Sequence, residues 1–166
     1  DTCHSAVMRE SAEEAVSAYA SAGMTIGKVQ VSSAIDVDFG PSGDAAAIES
    51  LGALAEPRYL HQVTIEHDGT FAFHENLADM TLDAPRGHWR IHYHVPVHQE
   101  HFGVLGTTQS DLVASIPVLA AAGATDWEVE TYTWDVHPRC GEHGSLAESI
   151  AGELAWTAHQ LAEVGQ

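Results

Sequence analysis

Basic residues are scarce in this sequence. Lys and Arg number 6 against 24 Asp and Glu, a formal net charge of −18 over 166 residues. A surface of that sign repels nucleic acid and anionic membrane, which excludes both as partners and leaves an acidic face suited to solubility or to salt. Only two cysteines occur, Cys3 and Cys140, far apart and without a CxxC spacing. They read as free thiols of a reducing cytoplasm rather than a disulfide framework. No apolar run approaches the roughly 18 residues of a spanning helix, and the N-terminus lacks a signal-peptide pattern. An initiator Met is missing too, so the opening "DTCHSAV" reads as the start of a segment cut from a larger protein.

What is present suffices for one domain over residues 1–166, with 45% hydrophobic residues to build a core. The periodicity predicts four strand-then-helix units. "DTCH" is the end of a first strand, followed by a helix from about Ser11 to Gly23. "TIGKVQVSSA" is the second strand, and its helix starts at Asp44, carries Ile48, Leu51 and Ala55, and ends at Pro57. "WRIHYHVPV" is the third. Its helix opens near Thr108 with the capping-box pattern "TQSD", carries Leu112, Ile116 and Leu119, and contains Pro117. "DWEVETYTW" is the fourth, leading to a helix opened by "SLAE" with Ile150, Leu154, Ala158 and Leu161 as its buried stripe. Between the second and third units, two alternating runs flank Asp68-Gly69, predicting a β-hairpin insertion over residues 58–78. The expected fold is α/β: four parallel βα units, the C-terminal half of a (β/α)8 TIM barrel.

Alternation within the strands separates two faces. Trp89, Ile91, Tyr93, Val95 and Val97 suit a helix layer, so Arg90, His92 and His94 point the other way. Glu128, Glu130 and Tyr132 oppose Trp127, Val129, Thr131 and Thr133, and Lys28, Gln30 and Ser32 oppose Val29 and Val31. A polar face shared by three strands marks the site end of such a barrel. There Asp1 and His4, in a D-x-x-H turn, join His94 and Glu130 as a candidate nitrogen and oxygen site for Zn²⁺, Mn²⁺, Co²⁺, Fe²⁺ or Mg²⁺. Each histidine alone also fits a hydrogen-bonded core residue. His98 and His101 offer an alternative metal pair, and His61, His67, His74 and His159 read as surface residues.

The strings "DTCH", "GKVQVSSA", "AEPRYLHQV", "HYHVPVH", "GVLGTTQ" and "EVETYTW" together resemble the bacterial metabolite traffic protein EboE family, within the xylose-isomerase-like (sugar phosphate isomerase, endonuclease IV) barrels. The resemblance covers nearly the whole chain. It implies that an N-terminal half-barrel is missing and would be the chain's structural partner. It also implies a divalent metal beside a hydroxy-carbonyl substrate, with Asp1 and Glu130 as ligands and His4 as ligand or substrate contact. A His-x-Gln pattern common in related isomerases reads here Lys28-Val29-Gln30, so His94 would have to complete the ligand set.

The expected activity is metal-dependent isomerisation or epimerisation of a small sugar-like or hydroxy-carbonyl metabolite. The metal would polarise the carbonyl and its neighbouring hydroxyl while a carboxylate moves the proton. Glu130 and Lys28 are the catalytic candidates; His4, Gln30 and His92 would contact substrate; Asp1, His4, His94 and Glu130 would hold the metal. The rival expectation is a metabolite-handling protein that uses the same pocket without turnover.

Overall fold

Strand β5 (Gly87–Val95) lies inside a six-stranded antiparallel sheet of the computed structural model, which describes residues 1–40, 43–130 and 145–165. On one side it pairs with β3 (Val63–His67), itself the inner strand of a hairpin with β4 (Thr70–His74). On the other it pairs with β2 (Ser33–Phe39), followed by β7 (Leu105–Thr107) and β6 (His101–Phe102). The hairpin expected around Asp68-Gly69 is present. Both residues have positive φ (49° and 71°), the backbone of a tight two-residue turn. Its strands are not set apart from the main sheet, however, because Val63 lies opposite Ile91 and Ile65 opposite Trp89.

These pairings overturn the half-barrel of parallel βα units. Among the described residues, parallel pairing is confined to β1 (Val29–Val31) with β8 (Trp127–Val129). Part of the reason lies in "AIDVDF". It lies beyond the expected strand "TIGKVQVSSA", yet Ile35 and Phe39 are buried and Val37 packs on the core, with Asp36 and Asp38 on the opposite face. The chain thus breaks between β1 and β2 and continues as a long antiparallel strand against β5, giving β5 antiparallel neighbours on both sides.

The opening residues are also not a strand end. They form helix α1 (Thr2–Val7), with Asp1 as its N-cap accepting from the backbone N–H groups of Cys3 and His4. Helix α2 (Ala12–Ser21) follows, capped by Ser11. Helix α3 (Ala45–Leu54) is capped by Asp44 and lays Ala47, Leu51 and Leu54 on the sheet. Helix α4 (Gln109–Ala121) starts after Thr108, which forms no capping bond; its hydroxyl instead accepts from the N–H of Ala34 at 2.9 Å. Pro117 lies within α4. Helix α5 (Leu146–Glu163) has the full reciprocal capping box of Ser145 and Glu148. Its buried face, though, is Ser149, Glu153 and Thr157, one residue before the expected stripe, and Leu154 is 50% exposed. A backbone donor explains part of this rotation: the N–H of Val97 reaches Glu153 Oε2 at 3.3 Å.

Two main apolar clusters, with a small third of Cys3, Val7 and Ala34, hold the described residues. The larger contains Trp89, Ile91, Tyr93 and Val95 of β5 with Leu51, Leu54, Phe39 and Leu77, which agrees with the apolar face assigned to that strand. The smaller gathers Val29, Val31, Val97, Leu112 and Ile116 around β1 and α4. The opposite face of β5 meets α1, where Arg90 donates to the carbonyl of Ala6 and Thr64 to that of Val7. No helix among the described residues is long and apolar enough to cross a membrane. Residues 131–144 fall outside the description, so the expectations for Thr131, Tyr132, Thr133 and Cys140 do too.

Candidate metal centre

The helix-for-strand change at the N-terminus brings side chains to β5. Asp1 and His4 are three residues apart, one helical turn, so they share a face. Asp1 is fixed on both sides. Its Oδ1 accepts from the N–H of Cys3 (2.9 Å), the N–H of His4 (3.3 Å) and the hydroxyl of Ser32 (2.6 Å). Thr2 ties the same turn to the β1–β2 junction by donating to the carbonyl of Ser32 (2.7 Å) and accepting from its N–H (2.9 Å). Asp1 Oδ2 is then left to face His4 Nδ1, with which it is in contact, and His94 Nε2 at 3.8 Å.

On β5, His92 and His94 lie on the face away from the larger core, and both are buried. Their Nδ1 atoms approach carbonyl oxygens, His92 that of Leu60 (3.2 Å) and His94 that of Glu130 (3.3 Å). A carbonyl only accepts, so each Nδ1 must carry the hydrogen, and in a neutral ring Nε2 then bears a lone pair. The two Nε2 atoms are 3.1 Å apart. Neutral rings are what burial enforces. It pushes His92 down to about 3, helped by the nearby His4 and His94, and His94 down to about 4. Partial burial also lowers His4. Two lone pairs at this separation repel, and either a proton or a cation between them would relieve them.

The cluster offers two three-membered donor sets, with ligand atoms in each within 4.8 Å of one another: Asp1, His4 and His94, and Cys3, His92 and His94. His94 belongs to both. The first is open, since the His4 side chain is 49% exposed. The second is closed, with all three residues buried. Cys3 was absent from the expected site, although it adjoins His4 in "DTCH"; its one-step offset along α1 turns the thiol inward. Burial raises the thiol well above its usual range, while a hydrogen bond from the Tyr93 backbone acts in the opposite sense.

The remaining expected residues are distributed differently. Glu130 belongs to neither donor set. Its Oε2 lies 3.6 Å from His94 Nδ1, on the far side of the ring from Asp1, and this buried oxygen has no hydrogen-bond partner. The hydrogen on His94 Nδ1 goes to the main-chain carbonyl of Glu130, so the carboxylate lies behind the ring without bonding it. Lys28 is exposed and bonds the carboxylate of Glu128, which raises its pKa. Gln30 is half-buried on β1 opposite Glu128, with its carbonyl 3.2 Å from the Thr2 hydroxyl. Arg90 pairs with Asp36 (3.2 Å) and Asp111 (2.6 Å). His98 and His101 are exposed and join no donor set among the described residues. His61, expected on the surface, is fully buried; its Nδ1 donates to the carbonyl of His92 (2.8 Å) and its Nε2 meets Glu56 Oε1 (3.1 Å).

A cavity of about 200 Å³ reaches Asp1 and is lined also by Thr2, Ser5, Tyr19, Ile26 and Lys28 among others; His4 and His94 do not line it. Compared with protein-family models, curated proteins and solved structures, the chain has no match.

Proposed function

We propose that this protein binds a divalent transition metal at the open donor set and applies it to a small hydroxy-carbonyl metabolite, as an isomerase or epimerase. One observation carries the metal: carboxylate and imidazole donors of Asp1, His4 and His94 converge beside the buried, hydrogen-bond-free Oε2 of Glu130. A carboxylate oxygen so placed is costly without a compensating positive charge nearby. Imidazole and carboxylate together suit Zn²⁺, Fe²⁺, Co²⁺ or Mn²⁺ better than Mg²⁺, which prefers oxygen and water. Such an ion supplies Lewis acidity toward a carbonyl and its neighbouring hydroxyl.

The chain's own groups do the rest. Ser32 and the α1 backbone hold the Asp1 carboxylate in place, and the main-chain carbonyl of Glu130 fixes the His94 tautomer. The cavity beside Asp1 admits a metabolite of a few carbons.

The test is metal analysis of the chain after reconstitution, followed by turnover screening with ketoses, aldoses and hydroxy-carbonyl acids. Stoichiometric metal lost in Asp1→Asn and His94→Ala, with turnover in at least one substrate class, supports the reading. Failure to retain any of the four ions overturns it. The exposed, ion-paired state of Lys28 favours a second reading, metabolite handling without turnover. Saturable ligand binding by the metal-loaded chain with no product formed would select it.

A further inference from the structure

We infer that the chain has a second metal seat, made by Cys3, His92 and His94, which takes a thiophilic ion and excludes an ion from the open seat. The inference rests on the metal reading above and adds selection between metals to it.

Three observations carry it. The Nε2 atoms of His92 and His94 face each other at 3.1 Å, each ring oriented by a carbonyl at its Nδ1. That is the arrangement of imidazoles held as ligands by outer partners. The thiol of Cys3 completes a triangle with them, inside 4.8 Å and wholly buried. Finally, the carboxylate of Glu130 lies behind His94, its buried Oε2 3.6 Å from the ring's Nδ1. An ion of charge +2 bound by one thiolate and two neutral imidazoles keeps a net positive charge, and the carboxylate offsets it in a dry setting.

The two seats differ in chemistry. The open one presents a carboxylate and two imidazoles; the closed one replaces the carboxylate by sulfur. Thiolate selects soft and borderline ions such as Zn²⁺ and Cd²⁺, whereas Mn²⁺ is left to oxygen and nitrogen. Both seats need His94, and the nitrogen that faces Asp1 at 3.8 Å is the one that faces His92. One nitrogen lone pair serves one ion, so the seats fill alternatively. On filling the closed seat, the Cys3 thiol releases its proton to solvent as the sulfur–metal bond forms, with no change of oxidation state. A seat bounded by buried residues leaves no room for a metabolite, so an ion held there is silent toward substrate.

The experiment uses the full chain carrying Cys140→Ser, so that Cys3 is the remaining thiol. Titration with Co²⁺ should give a near-ultraviolet sulfur-to-cobalt charge-transfer band that saturates at one equivalent. The band should survive Asp1→Asn and vanish in Cys3→Ser, which should still show visible ligand-field absorption from the open seat. If Cys3→Ser does not fold, His92→Gln replaces it, and at least tenfold weaker charge-transfer binding is expected. In a second arm, Mn²⁺ is bound first and Cd²⁺ added; the sextet of free Mn²⁺ should appear in the electron paramagnetic resonance spectrum. Cobalt bound with ligand-field absorption but no charge-transfer band would overturn the closed seat while leaving the proposed function standing. Cd²⁺ and Mn²⁺ held together would overturn exclusion. No bound cobalt at all would remove both readings.

Discussion

His61 and His94 are equally buried, and both lie against the same short stretch of β5, yet they are built for different tasks. His61 stacks on Tyr93 at 4.9 Å and directs both ring nitrogens to oxygens, the carbonyl of His92 and the carboxylate of Glu56. His94 directs only Nδ1 to Glu130; its Nε2 meets the nitrogen of His92 and the carboxylate of Asp1. Burial therefore does not distinguish a structural histidine from a candidate ligand. The surroundings of the second nitrogen do: a hydrogen-bonded carboxylate in one case, a second imidazole nitrogen in the other.

The strongest way to break this comparison is to exchange the two losses. His94→Ala should abolish metal retention, exceeding the roughly 10–100-fold that loss of an outer partner costs, as measured by equilibrium dialysis with elemental analysis. His61→Ala should leave retention intact and lower unfolding free energy by about 3 kcal/mol, through a cavity beneath Tyr93 and a buried carbonyl left without its donor. Denaturant titration reads that loss. Equal metal loss in both variants would mean that the cluster depends on general packing, and the contrast would disappear.

Glu130→Gln sharpens the comparison more gently. The amide keeps the shape behind His94 but not the charge, so metal affinity should drop about tenfold while the melting transition stays cooperative. Unchanged affinity would reduce Glu130 to a spacer.

A further contrast is in the pH dependence of the metal-free chain. Unfolded histidines take up protons near 6.5, whereas His92 and His94 in the fold resist until about 3 and 4. Their contribution to stability should therefore fall as pH drops from 6.5 toward 4. Glu153 acts in the opposite sense. Burial on α5 raises it from 4.5 to about 7, so the folded chain keeps a proton that the unfolded chain has lost, and stability falls as pH rises through that window. Glu153→Gln should remove the second trend and leave the first, which thermal melts between pH 4 and 8 would show. A flat profile in that variant would deny the histidines their burial penalty.

Local signals survived from sequence to structure better than topology did. The Asp68-Gly69 turn, the Ser145–Glu148 box and the apolar set from Trp89 to Val95 are each fixed within a few residues, where sterics and capping act. Strand direction is not a local property. Ile35, Val37 and Phe39 alternate with aspartates, and which strand they meet depends on where the chain turns back, decided here by the long antiparallel register of β2 on β5. The site divides along the same line. Asp1 and His4 were legible because one helical turn brings them together even though a strand was expected, and His94 because alternation sets its face. Cys3 was not, since a thiol beside a histidine carries no signal until helix α1 rotates it inward. The partner of Lys28 was not legible because ranking an ion pair needs distances: Lys28 meets Glu128, while Glu130 lies behind the imidazole.

The divided carboxylate of Asp1 has a thermodynamic consequence. One oxygen terminates helix α1 and the other faces the donors of the open seat. Under the proposed function, an ion that draws on the second oxygen would restrain the first, so ion uptake and the order of the opening helical turn would be linked. Each must favour the other by the same free energy. A six-residue helix is far too short to persist by propensity alone. Its amide protection against hydrogen exchange should then rise with loading, which makes the first turn of this chain an internal reporter of its own metal content.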